Sequence, residues 1–501
     1  MTKRALVGID VGTSSAKTVV LSEGGDLLAV AAQEYPVDTP YPGWAEQAPE
    51  AWVRAALTTT REALSEAGVA GEDVLGLGLS GQMHGTVCVG DQGELLRPAI
   101  IWADQRSRAE VAEVVAKLGR DRLASWTGNP VATGFMLPTW LWLREHEPEV
   151  AAATRWLLLP KDYVRYRLTG EIGAEPSDAS STSFFDPVDR SWSTPLLEAL
   201  DLDGRRLPDV HPSSAVAGGL RQEMAEAAGL PCGLPVIFGG SDQAMQALGN
   251  GVLAPGVVSS TIGTGGQLFA PTEHPVVDAP ELRMHSFCHV LPDRWHVETA
   301  MLAAGLSLRW LRDQILTGET YEAMADAAQS VSPGAEGLLF QPYLAGERTP
   351  HMDPRARGSF VGLTLRHGRA HFVRALMEGV VFSMRQGLDL MAALGVPITT
   401  IVASGGATRH PLWMQLQADI YDRPIRRTET VEAAATGAAM LAGVGVGVFP
   451  DAAAAIEAAV RWSDEVVEPT PERAEIYRSH YERFRELYPA LVGVMHALDA
   501  A

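Results

Sequence analysis

Near its start the chain carries Leu6-Val7-Gly8-Ile9-Asp10-Val11-Gly12-Thr13-Ser14-Ser15-Ala16-Lys17-Thr18-Val19-Val20-Leu21, and midway it carries Val257-Val258-Ser259-Ser260-Thr261-Ile262-Gly263-Thr264-Gly265-Gly266-Gln267-Leu268-Phe269. Each reads as a strand, a tight Gly-Thr turn and a returning strand. Glycine lets backbone come close to a phosphate, and the small hydroxyls and turn N–H groups donate to its oxygens. Ordinary hairpins share these residues, but a spaced pair narrows the options to a triphosphate held by a duplicated fold. The first copy adds Asp10, a carboxylate placed to orient hydrated Mg²⁺, and Lys17 in the returning strand, either a phosphate neutraliser or a solvated charge. The second copy lacks the acid.

The chain has 501 residues, more than one hydrophobic core usually organises, so a boundary is expected near Leu253 to Gly256, giving domains 1–254 and 255–501. With 46% hydrophobic and 20% charged residues the composition is that of a soluble globular protein. Formal net charge is −21, and the lysines are Lys3, Lys17, Lys117 and Lys161. Such a surface repels nucleic acid and anionic membrane, while leaving room for a local anion pocket. Cys88, Cys232 and Cys288 are too few and scattered for a disulfide framework, which fits a reducing cytoplasm. The apolar stretch Ala433 to Phe449 is rich in Ala and Gly and reads as a tightly packed helix and turn, not a membrane span.

Between the hairpins, Trp52, Val53, Ala56, Leu57 and Leu64 recur at helical spacing within Pro49 to Ala67. A buried strand, Val74 to Leu79, delivers Ser80-Gly81-Gln82-Met83-His84-Gly85 at its carboxyl end, where α/β proteins place ligands. Pro98 to Trp102 reads as a strand ending at Asp104-Gln105-Arg106, and Leu137 to Glu147 as a helix. Ser177 to Pro195, polar and aromatic, reads as a loop or lid. Pro235 to Phe238 is a short strand ending at Gly239-Gly240-Ser241-Asp242 before an Ala- and Met-rich helix. The strand and helix order then repeats: Trp295 to Glu298, a helix from Ala303 to Leu316, and Ile398 to Ala403 ending at Ser404-Gly405-Gly406-Ala407. A charged helix, Pro471 to Leu487, comes last.

No lysine follows a glycine, so there is no Walker A loop, and the two-hairpin design is the phosphate grip that remains. The ordered segments Gly8-Ile9-Asp10-Val11-Gly12-Thr13-Ser14, Gly81-Gln82-Met83-His84-Gly85, Leu159-Pro160-Lys161-Asp162-Tyr163, Gly239-Gly240-Ser241-Asp242, His285-Ser286-Phe287-Cys288-His289 and Gly346-Glu347-Arg348-Thr349-Pro350-His351 resemble the FGGY carbohydrate kinases along nearly the whole chain. So does the run from Gly358-Ser359-Phe360 to Ala375-Leu376-Met377-Glu378. The resemblance implies an α/β fold of two ribonuclease H-like domains, as in actin and hexokinase, flanking a catalytic cleft. It also implies ATP and Mg²⁺, a cytoplasmic enzyme that is often a homodimer, and transfer of phosphate to a sugar hydroxyl. Among sugars it points to the 5-hydroxyl of D-xylulose, with D-ribulose or glycerol as alternatives. An actin-like ATPase or a non-catalytic sugar sensor would keep both hairpins without needing Asp242.

From the residues alone, Asp242 at a strand end and helix start is either an N-cap or a base. The resemblance assigns it the base role, with Met83, His84 and Gln243 contacting the sugar. Trp102, Asp104 and Arg106 close the neighbouring strand and are candidates for lining the same pocket. Asp10 is implied on the metal side. Gly12, Thr13, Ser14 and Lys17 from one hairpin, Thr261, Gly263, Thr264 and Gly265 from the other, and the turn Gly405-Gly406-Ala407 are expected to hold ATP. The His and Cys density of residues 285–289 suggests metal binding, but its spacing fits no standard zinc pattern. The chain departs from the family's first signature at Thr139, where a lysine is expected.

Overall fold

The computed structural model describes residues 4–499, and of the four lysines Lys3 lies outside them. Two compact units are present. The first gathers the chain up to Leu253 with two later stretches, Thr272–His296 and Thr430–Arg461. The second holds Ala254–Pro271, Val297–Glu429 and the chain from Trp462 onward.

In the first unit, Ala5–Val11 pairs antiparallel with Ser15–Ser22, which pairs antiparallel with Leu27–Glu34. On its other side Ala5–Val11 runs parallel to Val74–Gly81, which runs parallel to Pro235–Ile237, with Val216–Gly219 antiparallel at the edge. With the edge strand Val216–Gly219 set aside, the other five, numbered along the chain, lie in the order 3-2-1-4-5. Successive side chains alternate between faces, so Val7 and Ile9 join a core with Trp52, Val53 and Ala56 of the helix Pro49–Ala67. That helix ends at Gly68 in the left-handed conformation (φ 62°) and ties to the sheet through a 2.7 Å bond between the Thr18 and Thr59 hydroxyls.

The opposite face is covered by a helix from much later in the sequence, Ala433–Gly445. Close approach requires glycine there. A Cβ on Gly8 would lie 2.0 Å from the Ala435 carbonyl oxygen, and one on Gly78 would lie 2.1 Å from that of Ala438. The same helix presses on Asp242–Gly249, where Cβ atoms on Gly437 and Gly249 would each fall 2.0 Å from the facing carbonyl oxygens of Met245 and Ala433.

The second unit repeats the plan. Gly256–Ile262 pairs antiparallel with Gly266–Thr272 and parallel with Ile398–Ser404, which runs parallel to Ile425–Arg427. Trp295–Met301 lies outside Gly266–Thr272, so the order is again 3-2-1-4-5. The buried helix Arg369–Ala393 packs against the strand Leu339–Gln341, with Gly379 meeting the Phe340 backbone.

Several elements differ from the sequence reading. The first half of the stretch read as a lid is buried: Pro176–Ala179 is a short helix, Ser180–Thr182 a 3₁₀ turn, and Phe184 and Phe185 are core residues, while Val188, Asp189 and Ser191 beyond them are exposed. Its polar residues are satisfied inside the buried turn: the Ser180, Ser181 and Thr182 hydroxyls donate to the carbonyls three residues before them. Pro98 to Trp102 contributes only the two-residue strand Ala99–Ile100. The helix expected from Ala303 starts at Gly305 and runs into a π turn, Leu311–Ile315, while the last helix extends over Pro471–Asp499. All three cysteines are free, and no described helix is long and apolar enough to cross a membrane.

Candidate active site

Strand register assembles the first unit's site. Asp10 pairs with Ser80 and Val11 with Gly81, while Gly240 pairs with the same Ser80 and Ser241 with Gly81. Parallel neighbours lie about 4.8 Å apart, so Asp10, the Ser80 to His84 turn and Asp242 emerge from one carboxyl edge within about 10 Å. Asp242 is the first residue of the helix Asp242–Gly249, half-buried beside the half-buried Gln243. The positive end of that helix favours a carboxylate at this position.

Met83 is buried, whereas His84 is partly open and holds φ at 73°, a left-handed conformation uncommon for a side chain of this size. Its Nδ1 lies 2.8 Å from the Ser181 carbonyl oxygen. A carbonyl only accepts, so Nδ1 carries a proton. The imidazole stacks on Phe135 at 3.8 Å and 9°. Phe287 and His285 continue this aromatic wall, with rings 5.2 Å apart. Sequence reasoning missed Phe135, which stands just before the helix Met136–His146; its only signal is an aromatic next to Gly134. No metal-binding set forms around His285 and His289 among the described residues; the one His–carboxylate group present is Glu110, Glu145 and His146.

The first hairpin turn is held by its surroundings. Tyr35 Oη donates to the Gly12 carbonyl at 2.5 Å, Gln47 Nε2 to that of Thr13 at 2.7 Å, and Trp102 Nε1 to Thr13 Oγ1 at 2.8 Å. Ser14 is exposed at the tip. Asp10 accepts from Ser80 Oγ at 2.8 Å, and burial pushes its carboxyl above the ordinary range, against the opposing pull of Ser80 and Lys17. Lys17 is bound to Glu432 at 2.7 Å. Asp104 and Arg106 are bound mainly to each other. Arg106 Nε and Nη2 donate to the Asp104 carboxylate at 2.7–3.0 Å, Nη2 also meets Glu46 at 2.8 Å, and the guanidinium lies 3.6 Å over Trp44. These two side chains therefore brace the loop beside Trp102.

In the second unit, a cavity of about 540 Å³ brings together Gly263, Thr264, Gly406 and Ala407. Ile262 adjoins them, and the remaining walls come from Gly305, Leu306, Leu308, Arg309, Tyr321, Glu322, Ala325, Arg409, His410 and Trp413, which sequence reasoning missed because they lie on separate helices. The hairpin turn is docked on the start of the helix Gly305–Trp310: Ala304 and Leu306 N–H donate to the Thr264 carbonyl at 3.1 and 3.0 Å, and Gly305 N–H to that of Gly263 at 2.9 Å. Gly405, with φ at 81°, lets the adjoining turn approach Ile262. Thr261 Oγ1 bonds Ser404 Oγ at 2.7 Å, and Gly265 abuts the Met301 carbonyl. Flat apolar walls, backbone N–H groups at a Gly-rich turn and two arginines suit a purine ring with an anionic tail.

Models of the FGGY family of carbohydrate kinases match the chain twice, the N-terminal domain over residues 5–249 and the C-terminal domain over 258–446. The chain is 37% identical to a xylulose kinase of Escherichia coli, covering 98% of this chain and 99% of that protein. The crystal structure of xylulose kinase from Rhodospirillum rubrum superposes with a TM-score of 0.91 at 30% identity, covering 98% of this chain and all of the other. A gluconate kinase structure from Lactobacillus acidophilus gives 0.92 at 26% identity, with 98% of both chains covered, so the backbone alone does not choose the sugar. The matched family models, the mixed α/β two-domain fold and the likeness to named sugar kinases agree: this chain is an enzyme of the FGGY family of carbohydrate kinases.

Proposed function

We propose that the enzyme transfers the γ-phosphoryl group of ATP to the 5-hydroxyl of D-xylulose, in the cytoplasm. The observation that carries this reading is the register that sets Asp10, Met83-His84 and Asp242 on one strand edge. Asp242 accepts the hydroxyl proton as that oxygen bonds to the γ-phosphorus; the bond to the β-bridging oxygen breaks and ADP leaves. His84 hydrogen-bonds a sugar hydroxyl, and Met83 and Phe135 give the carbon skeleton an apolar wall. Gln243 adds a polar contact, and Trp102 lies beside both the sugar and the first hairpin.

Asp10 suits Mg²⁺: it is a carboxylate that burial makes costly to ionise, held by a neutral serine, so a hydrated cation would relieve it. When bound, the ion would offset charge on the phosphates. Gly12, Thr13, Ser14 and Lys17 would meet those phosphates from the first hairpin, and the cavity at Gly263, Thr264, Gly406 and Ala407 would hold the nucleoside. Met83-His84 favours a pentulose, and relatives named xylulose kinase favour D-xylulose among pentuloses.

The test is ADP release measured over D-xylulose, D-ribulose, L-xylulose, L-ribulose, glycerol and gluconate. D-xylulose should give the highest kcat/KM, and equal turnover across the panel rejects the assignment. Asp242→Ala should lower sugar-dependent ADP release at least a hundredfold; near-parental turnover removes Asp242 from the base role.

A further inference from the structure

Behind the proposed base lies a group of ionisable side chains with no contact with solvent. Lys161 Nζ meets Asp162 at 2.7 Å, Glu175 at 3.2 Å and Asp178 at 3.3 Å, and Arg165 Nη1 meets Asp162 at 2.6 Å. All five are at most 1% exposed. Burial pushes Asp178 well above the ordinary carboxylate range, against the pull of Lys161. Such clusters add little stability over an apolar core of equal volume, so what this one supplies is fixed geometry.

That geometry leads to the base. Glu175 is completely engaged: Oε1 accepts from Asp178 N–H at 2.9 Å, Oε2 from Ser177 N–H at 2.8 Å and Ser213 Oγ at 2.7 Å, and the Ser177 hydroxyl reaches both oxygens at 2.8–2.9 Å. With its proton committed to Glu175, Ser177 Oγ accepts the Ser241 N–H at 3.0 Å. Ser241 is the N-cap of the helix that Asp242 opens, and it makes no side-chain cap of its own. The same turn is fixed from the other side by Gly239 N–H donating to the Ser213 carbonyl at 2.9 Å.

We propose that Ser177, oriented by Glu175, is a positioning residue that holds the Ser241–Asp242 turn where the Asp242 carboxylate meets the sugar hydroxyl. The inference rests on the base reading above. Misplacement of a reacting group by about 1 Å costs on the order of a hundredfold in rate, so removing one such tie should act on turnover, not on binding.

The experiment is a cycle of Ser177→Ala, Asp242→Asn and the double variant, with Thr59→Val as a control that removes the buried Thr18–Thr59 bond elsewhere in the same unit. Ser177→Ala should lower kcat about tenfold to a hundredfold with KM for sugar within about threefold, and should add nothing further on the Asp242→Asn background. Thr59→Val should lower Tm and leave kcat unchanged. Parental kcat in Ser177→Ala overturns the proposal, as does a loss that multiplies with that of Asp242→Asn, or a kcat loss in Thr59→Val matching its own for equal change in Tm. If Asp242→Asn itself turns over normally, the base reading fails and the positioning role falls with it; if only Ser177→Ala is silent, the base reading stands alone.

Discussion

Single side chains carry the chemistry, and their surroundings set what each can do. His84 stands in a strained conformation with Nδ1 donating to the Ser181 carbonyl, so His84→Ala loses both a hydrogen-bonding group and a ring stacked on Phe135. It should raise KM for the sugar about tenfold or more while KM for ATP stays within twofold; equal changes in both reject a sugar contact. A second residue-scale outcome concerns pH. Burial pushes Glu347 up to about 8 and Glu298 up to about 7, from an ordinary 4.5. Their folded pKa values exceed the unfolded ones, so between pH 4.5 and 8 the folded state binds more protons, and stability falls as pH rises through that window. In Glu347→Gln, Tm relative to the parent should therefore climb from pH 5 to pH 8.5, and a pH-independent difference discards the explanation. At this scale the sequence reading was fullest where motif and strand end coincide, as at Asp10, Met83, His84 and Asp242. It was thinnest where a residue's partner is remote: nothing near Asp104 and Arg106 announces Trp44 and Glu46, and nothing near Ser177 announces Ser241.

Between elements, contact distance decides which residues are tolerated. The seam between Ala433–Gly445 and Asp242–Gly249 is built from glycines, and Gly437→Ala would place a methyl group 2.0 Å from the Met245 carbonyl oxygen. Overpacking of this kind costs about 1–3 kcal/mol, and it would also shift the helix that bears Asp242. Calorimetry should show a lower Tm, and assay a lower kcat. Gly493, exposed in the helix Pro471–Asp499 with open space around its α-carbon, supplies the contrast. Gly493→Ala should stabilise by about 0.5–1 kcal/mol with kcat unchanged, because alanine loses less backbone entropy on folding. Elements with clean periodicity were legible in advance: the helix Pro49–Ala67 and both hairpins stand at the expected residues. The helix near Ala433 was legible as a packed helix, but its destination was not. Periodicity reports that a face is buried without saying against what.

Over the whole molecule, a duplicated 3-2-1-4-5 sheet underlies both units, and this follows from two hairpins that each begin a strand series. What the linear sequence conceals is that the first unit is discontinuous, taking in Thr272–His296 and Thr430–Arg461. A chain ending at Glu429 would keep every strand of the first sheet and lose the helix over Gly8 and Gly78. It should show no cooperative thermal transition for that unit, and should recover when residues 430–461 are supplied as a separate polypeptide; a normal transition in the shortened chain refutes this account. The same arrangement imposes a schedule on synthesis. The roughly 180 residues between Leu253 and Thr430 take about 10–35 s to translate at 5–20 residues per second. Throughout that interval one face of the nascent first sheet waits uncovered, with bare backbone at Gly8 and Gly78. The growing polypeptide should therefore depend on chaperone capture during this wait, and slowing elongation ahead of residue 430 should lower the yield of active enzyme.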